Sequence, residues 1–227
     1  MSYNKIIDGM GLGYGSKYQL LRLLGWHRND FNKRILDSVG LLGNINWIDF
    51  GYNGSQDKEL LNFDFIPEIS EEWKQFWVCG NTGINWDAVG ILDDGTYILV
   101  EAKAHIDEVR NYPSGSCRSQ EKNNLRIKAF LEKYNIDTTV EAICNGHYQL
   151  ANRLVALDFL ISRGYKAKLV YVLFENGYEL NTPYNKSTMR DEWLREFDNT
   201  LSKLGFNDTK VSDLINLCII NCNIKET

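Results

Sequence analysis

The chain has 227 residues, with 25 Lys and Arg against 30 Asp and Glu, so its formal charge is −5. That length suits one large domain, and 44% hydrophobic with 24% charged residues excludes a disordered chain, a collagen-like repeat and a coiled coil. The acidic balance argues on its face against a general nucleic-acid binder, because phosphate binding usually leaves a basic footprint.

Taken in chain order, Gly9–Lys17 is glycine-rich, but Ser16 precedes Lys17, the reverse of a phosphate-binding P-loop. A flexible entry to the first helix is the better account. Residues 16–39 carry Leu20, Leu21, Leu23, Leu24, Phe31, Ile35, Leu36 and Val39 at helical spacing. The pattern predicts a helix capped by Ser16 and broken near Gly25. Residues 44–72 are mixed and acidic, and read as irregular with short strands. Residues 74–79 and 84–92 read as strands, Asp93-Asp94-Gly95 as a turn, and 96–104 as the strongest strand of the chain. A loop over 105–117 is followed by helices at 118–134 and 147–163, the second ending at Gly164. A buried strand (166–174), a helix (188–204) ending at Gly205 and a last strand within 211–222 complete the order. No linker divides the chain. The expectation is one α/β domain over residues 1–227, a central mixed β-sheet flanked by helices.

No apolar stretch approaches the roughly 20 residues of a membrane helix. The N-terminus lacks the apolar core of a secretory signal. The cysteines are Cys79, Cys117, Cys144, Cys218 and Cys222, an odd number with no CxxC pair, so neither a disulfide framework nor a zinc ribbon is expected. A reduced, cytoplasmic protein without membrane contact is the expectation.

The chemistry concentrates between Trp86 and Ala104. Two adjacent strands carry Asp87, Glu101 and Lys103 in otherwise apolar surroundings. Side chains alternate along a strand, so Glu101 and Lys103 share one face while Val100 and Ala102 take the other. Buried charges are costly unless partnered, and a metal ion with a phosphate is one such partner. The hairpin register decides the matter. A two-residue loop would set Asp87 opposite Ala102, on the wrong face. A three-residue loop, with Gly95 left-handed, pairs Leu92 with Thr96 and sets Asp87 opposite Glu101. The second register is the expectation.

Asp87 followed by Glu101-Ala102-Lys103 on the next strand resembles the PD-(D/E)xK nuclease superfamily, with its restriction-endonuclease-like core. Trp86 stands where that family often has Pro. The resemblance implies hydrolysis of phosphodiester bonds in DNA or RNA, with Asp87, Glu101 and the Ala102 carbonyl holding Mg²⁺ or Mn²⁺. It implies that Lys103 orients the attacking water and stabilises charge building on the phosphate. A Gln on a later helix is similar to an extra motif of exonuclease-like members, and Gln149 fits it, although Arg153 stands where those members have Tyr. Gln149 is therefore a further candidate catalytic residue, and Tyr148 and Arg153 are candidate nucleic-acid contacts. Many members also place an acid on the first helix. Here only Asp30 and Asp37 lie along it, and surface charge is the better account of both.

Arg118, Lys122 and Arg126 recur every four residues and form a candidate phosphate-binding face. Arg22, His27, Arg28, Lys33 and Arg34 make a second basic stretch. His105 could assist Lys103, though a lone histidine is more often structural. Most of the six tryptophans should be core. The competing function is a non-catalytic member of the same fold that binds nucleic acid or protein. Many nucleases of this type act as homodimers, but nothing in these residues fixes an oligomeric state. Acidic residues gather at 49–72 and basic ones on the first helix and at 118–133, so the net charge sums two unlike regions and leaves nucleic acid, DNA first, as the expected partner.

Overall fold

Residues 15–48, 59–78, 83–109, 121–177 and 187–223 are described in a computed structural model of the chain. The apolar spacing that starts at Leu20 produces two helices, α1 (Gly15–Trp26) and α2 (Arg28–Val39). The chain breaks at His27, two residues beyond Gly25, where Arg28 Nε reaches back 2.7 Å to the Leu24 carbonyl. Ser16 lies inside the first turn of α1 and does not precede it.

The segment from 44 onward holds β1 (Ile45–Ile48), β2 (Leu60–Leu61) and α3 (Pro67–Phe76). The expected strand at 74–79 is thus helix over its first half, up to Phe76. A short apolar run cannot by itself separate strand from helix. The deciding features lie upstream, with Pro67 at the first helical position and Ile69 and Trp73 four apart on the buried face. Next come β3 (Asn85–Trp86), β4 (Ala88–Leu92), β5 (Tyr97–Lys103) and a 3₁₀ turn at Ile106–Glu108. Three helices follow: α4 (Glu121–Lys133), α5 (Val140–Cys144) and α6 (Tyr148–Ile161). Helix α5 is too short to show a period in sequence. It is held by its cap, the Thr139 hydroxyl accepting the Ala142 amide at 3.1 Å. The described chain then runs through β6 (Ala167–Glu175), α7 (Arg190–Lys203) and β7 (Ile215–Asn221).

Five strands form one mixed sheet in the order β1-β4-β5-β6-β7, with β2 and β3 paired separately. The pairs β1–β4 and β4–β5 are antiparallel, and β5–β6 and β6–β7 are parallel. Gly90 lets β1 lie close, since a Cβ there would meet Ile45 Cγ2 at 2.4 Å. Helices cover both faces. On one, α1 and α2 pack Leu20, Leu24, Phe31 and Ile35 against Ile98, Val100, Val170 and Val172. On the other, α3, α4, α6 and α7 pack Trp73, Ile127, Leu154 and Phe197 against Val89, Leu99, Leu169 and Leu173.

Cys218 and Cys222 are free thiols. Cys144 is disulfide-bonded, which departs from the expectation of a reduced protein. No helix among the described residues is long and apolar enough to cross a membrane.

Candidate active site at a break in the sheet

The β4–β5 hairpin closes with the three-residue loop. The Leu92 amide donates to the Thr96 carbonyl at 2.9 Å, Gly95 sits at φ +81°, and Asp94 Oδ1 accepts the Thr96 amide at 3.0 Å. Only a residue without Cβ adopts that φ at no cost. The ladder runs from Ile91↔Tyr97 to Ala88↔Val100. One further step sets Asp87 against Glu101, and there regular pairing stops. The Asp87 amide donates to the Val100 carbonyl at 3.1 Å, while its own Oδ2 accepts the Ala102 amide at 2.6 Å. Beyond Asp87 the chain turns away as β3 to pair with β2. The Asp87 carboxylate therefore caps the edge of β5 where a backbone carbonyl would otherwise stand.

Glu101 is 1% exposed, Lys103 7% and Arg153 4%. The next link comes from α6, which crosses the same face of the sheet. Glu101 Oε1 accepts from Lys103 Nζ at 2.6 Å and from Gln149 Nε2 at 2.7 Å. Oε2 accepts from Arg153 Nε at 2.7 Å. Lys103 Nζ also donates to Gln149 Oε1 at 3.0 Å, which closes a ring of three side chains. A carboxylate has about four lone-pair sites. Three are filled by these donors, and one remains on Oε2.

Charge bookkeeping follows from the geometry. Lys103 and Arg153 bring two positive charges, Glu101 one negative. Burial pushes the Glu101 carboxyl up, but Arg153 and Lys103 together outweigh it and hold it below its ordinary value. Burial likewise works against the Lys103 ammonium, and Glu101 with Asp87 outweighs it, so its pKa is raised. For Asp87 the balance falls the other way. Burial first and the Glu101 charge second push it up to about 7, although Lys103, the Ala102 amide and Arg153 pull the other way. Two close carboxylates, one of them reluctant to ionise, thus sit beside two buried cations.

The donor set for a metal cation is small. A strand residue points its N–H and C=O toward the same edge. The Ala102 carbonyl therefore faces the side from which its amide meets Asp87. With Asp87 and the remaining lone pair of Glu101 Oε2, that makes three oxygens, which fits a hard ion that keeps several waters. Among the described residues no group of three or more His, Cys, Asp or Glu side chains is placed to hold a metal.

Arg153 was expected at a nucleic-acid surface and lies in the core of the site. Its Nη2 donates to the Asn85 carbonyl at 2.6 Å, and its guanidinium lies 5.0 Å from the Trp86 ring centroid. Trp86 in turn donates to the Asn62 carbonyl at 2.8 Å, and Asn62 Oδ1 accepts from Trp73 Nε1 at 3.1 Å and the Ile84 amide at 3.0 Å. Asn62, at φ +50°, thus ties α3 to β3 behind the site. Sequence reasoning missed both Asn62 and this role of Arg153. The only available signal was an Arg on the apolar face of α6.

The remaining candidates scatter. Tyr148 is half-buried, its hydroxyl 3.4 Å from Asn123 Nδ2. Lys122 is exposed, and exposed Arg126 lies 4.5 Å over the Phe76 ring, so both sit on the outer side of α4. Arg118 lies outside the described residues, as do residues 1–14 and 110–117. Asp30 and Asp37 are exposed on α2, across the sheet from Glu101, and Asp30 pairs with Arg34 at 2.7 Å. Arg22 donates to the Cys222 carbonyl at 3.1 Å, a structural use of a predicted basic residue. His105 stands 3.4 Å from Glu108. Trp47, Trp73, Trp77, Trp86 and Trp193 are core, whereas Trp26 is 71% exposed.

A scan of the chain against protein-family models gives no match. Comparisons with curated proteins and with solved structures give none either.

Proposed function

We propose that the chain is a metal-dependent nuclease of the PD-(D/E)xK type on a restriction-endonuclease-like core, hydrolysing phosphodiester bonds of DNA or RNA. One observation carries the proposal. Asp87 meets the edge of β5 beside Glu101 and Lys103, in the register a three-residue loop dictates, and burial first, with the Glu101 charge second, pushes its carboxyl up to about 7.

Bound Mg²⁺ or Mn²⁺ would supply a water of lowered pKa and a polarised phosphate oxygen. Asp87, the Ala102 carbonyl and Glu101 Oε2 are the residues that would hold it. Lys103 lies beside that pair of carboxylates, where an ammonium stabilises charge building on a phosphate. Gln149 fixes the direction of the Lys103 ammonium. Arg153 holds Glu101 in one rotamer and so is a positioning residue. A second reading, a non-catalytic binder of nucleic acid or protein, is favoured by one fact. Glu101 is already neutralised by Arg153 and Lys103 without any metal.

Cleavage of plasmid, single-stranded DNA and RNA with Mg²⁺ or Mn²⁺ separates the two. The nuclease reading expects cleavage that falls on the order of a hundredfold or more in Asp87→Asn and in Lys103→Met. Absence of cleavage, together with no divalent-ion binding by calorimetry, sinks it and leaves the binder.

A further inference from the structure

A small space of about 10 Å³ adjoins the candidate active site. Lys103 and Gln149 line it together with Tyr171, His147 and Thr200. Lys103 and His147 are 7% exposed, Tyr171 and Thr200 3%. The volume is about what one water molecule needs. A buried water also needs two to four polar partners, and polar atoms in such walls need a partner themselves. The space opens onto a larger cavity of about 330 Å³, which shares His147 and Thr200 with it. The rim of that cavity, at Asn145, Asn199 and Lys203, is exposed, so water has a way in from solvent.

Three groups facing this space have hydrogen-bonding capacity that the protein leaves unused. His147 Nδ1 is buried and has no hydrogen-bond partner. The residue stands at the N-cap of α6, yet its side chain makes no capping hydrogen bond. Burial first, and the Lys203 charge second, keep its imidazole below the ordinary pKa, with Glu196 acting the other way. A neutral imidazole keeps a lone pair on one ring nitrogen. Tyr171 is the strand neighbour of Glu101 in the β5–β6 register. Its ring packs edge-on against Phe197 at 5.2 Å, and its hydroxyl has no hydrogen bond among the described residues. Lys103 is the third group. Its ammonium has three N–H donors, and Glu101 and Gln149 accept two of them.

We propose that His147 is a positioning residue of the candidate active site, acting on Lys103 through one water held in the space they share. The water accepts from the third N–H of Lys103 and from the Tyr171 hydroxyl. It donates to His147 Nδ1 and to the Thr200 hydroxyl. That set completes its four bonds and fixes the tautomer, with Nδ1 bare and the proton on Nε2. An ammonium with all three N–H groups engaged is a charge fixed in place. Fixed charge is what stabilises a developing phosphate oxyanion without reorganisation. This last step rests on the nuclease reading; the water and its hold on Lys103 do not.

The test uses the full chain, metal-free and ¹⁵N-labelled at histidine and lysine, in NMR at neutral pH. The chain has three histidines, and the signal lost in His147→Asn is His147. It should be neutral with Nδ1 unprotonated, and its Nδ1 resonance should shift in Tyr171→Phe. That variant keeps the ring against Phe197 and so tests the water even where His147→Leu fails to fold. The Lys103 ammonium signal, assigned by its loss in Lys103→Met, should exchange with solvent about fivefold faster in His147→Leu, as loss of one hydrogen bond implies. His147→Asn should restore it, because its amide oxygen reaches the place of Nδ1. A proton on Nδ1, or a Lys103 signal indifferent to both His147→Leu and Tyr171→Phe, overturns the proposal. In Mg²⁺-dependent cleavage, His147→Leu and Tyr171→Phe should lower kcat about tenfold with KM within about twofold, and His147→Asn should recover most of the loss. The expected NMR signature in a protein that cuts nothing keeps the water and its hold on Lys103 and loses the nuclease reading. Cleavage that both variants leave unchanged overturns the positioning role and keeps the nuclease.

Discussion

Strand β5 has two faces, equally buried and chemically opposite. On one, Ile98, Val100 and Ala102 lie against α1 and α2 in an aliphatic layer with no charge in it. On the other, Leu99 gives way to Glu101 and Lys103, which meet Gln149 and Arg153 of α6. The exposures of Val100 and Glu101 differ by a single percentage point, 0% against 1%. Burial alone therefore says nothing about what each face is for. The apolar face gains roughly 25 cal/mol per Å² removed from water. The polar face must first offset desolvation, and a buried ion network is weak evidence for stability. A fold that needed only a core would fill both faces alike, which is why the network reads as a site.

The contrast is broken most directly at Glu101. Glu101→Gln leaves Lys103 and Arg153 buried with their carboxylate gone, and should cost about 3–5 kcal/mol in urea unfolding. Val100→Ala on the other face only opens a small cavity and should cost about 2 kcal/mol. Replacing Glu101, Lys103 and Arg153 together by Leu or Met should recover most of the loss, since a well-packed apolar set of similar volume is often as stable as the ions. Should Glu101→Gln cost no more than Val100→Ala, the network is slack and the difference between the faces is nominal.

Much of this contrast was legible in the sequence, because strand alternation and turn chemistry are local. Gly95 after two aspartates dictated the three-residue loop, and the loop dictated which residues face each other. Asp87 reaches the Ala102 amide of β5, and Glu101, Lys103 and Gln149 are hydrogen-bonded to one another. The missing parts depend on contacts between residues far apart in the chain. Arg153 reads as a surface cation until α6 is laid across β5, 52 residues away. Asn62 looks like any loop asparagine until its carbonyl meets Trp86. Trp77 falls within the stretch that reads as strand, yet it stacks on Trp73 in the core, with centroids 5.8 Å apart, because α3 carries Trp73 and ends just before Trp77.

A smaller effect of opposite sign is expected at Asp87. Its carboxyl is raised from 3.8 to about 7, so the folded protein binds more protons than the unfolded chain between those values. Stability of the metal-free protein should fall as pH rises through that window and level off above it. Asp87→Asn removes the dependence. The variant should gain about 2 kcal/mol over the parent at pH 8, roughly half the full shift because Asp87 is only partly buried, and nothing at pH 4. Thermal melts of both proteins across that pH range measure it. A parent whose stability rises between pH 4 and 7, relative to the variant, would mean that Asp87 already has a cationic partner and needs no metal.

The smallest expected effect lies at the hairpin that sets the two faces apart. A Cβ at Gly95 would meet nothing within 4 Å, so Gly95→Ala pays only for a non-glycine residue at φ +81°. That cost is about 1 kcal/mol. It should appear in urea unfolding with an unchanged denaturant slope, because the native register survives. The alternative two-residue loop would turn Asp87 onto the wrong side of Glu101 and slip β4 by one position. Val89 would then exchange faces with Ala88, and every buried side chain of the strand with it. The core on both sides opposes that slip far more strongly than one strained turn favours it. Hydrogen exchange at the Leu92 amide, bonded to Thr96 across the loop, reports the outcome. Protection reduced by the same 1 kcal/mol fits a strained but intact register, whereas its complete loss would show that Gly95 alone, and not the two cores, decides which face carries the charges.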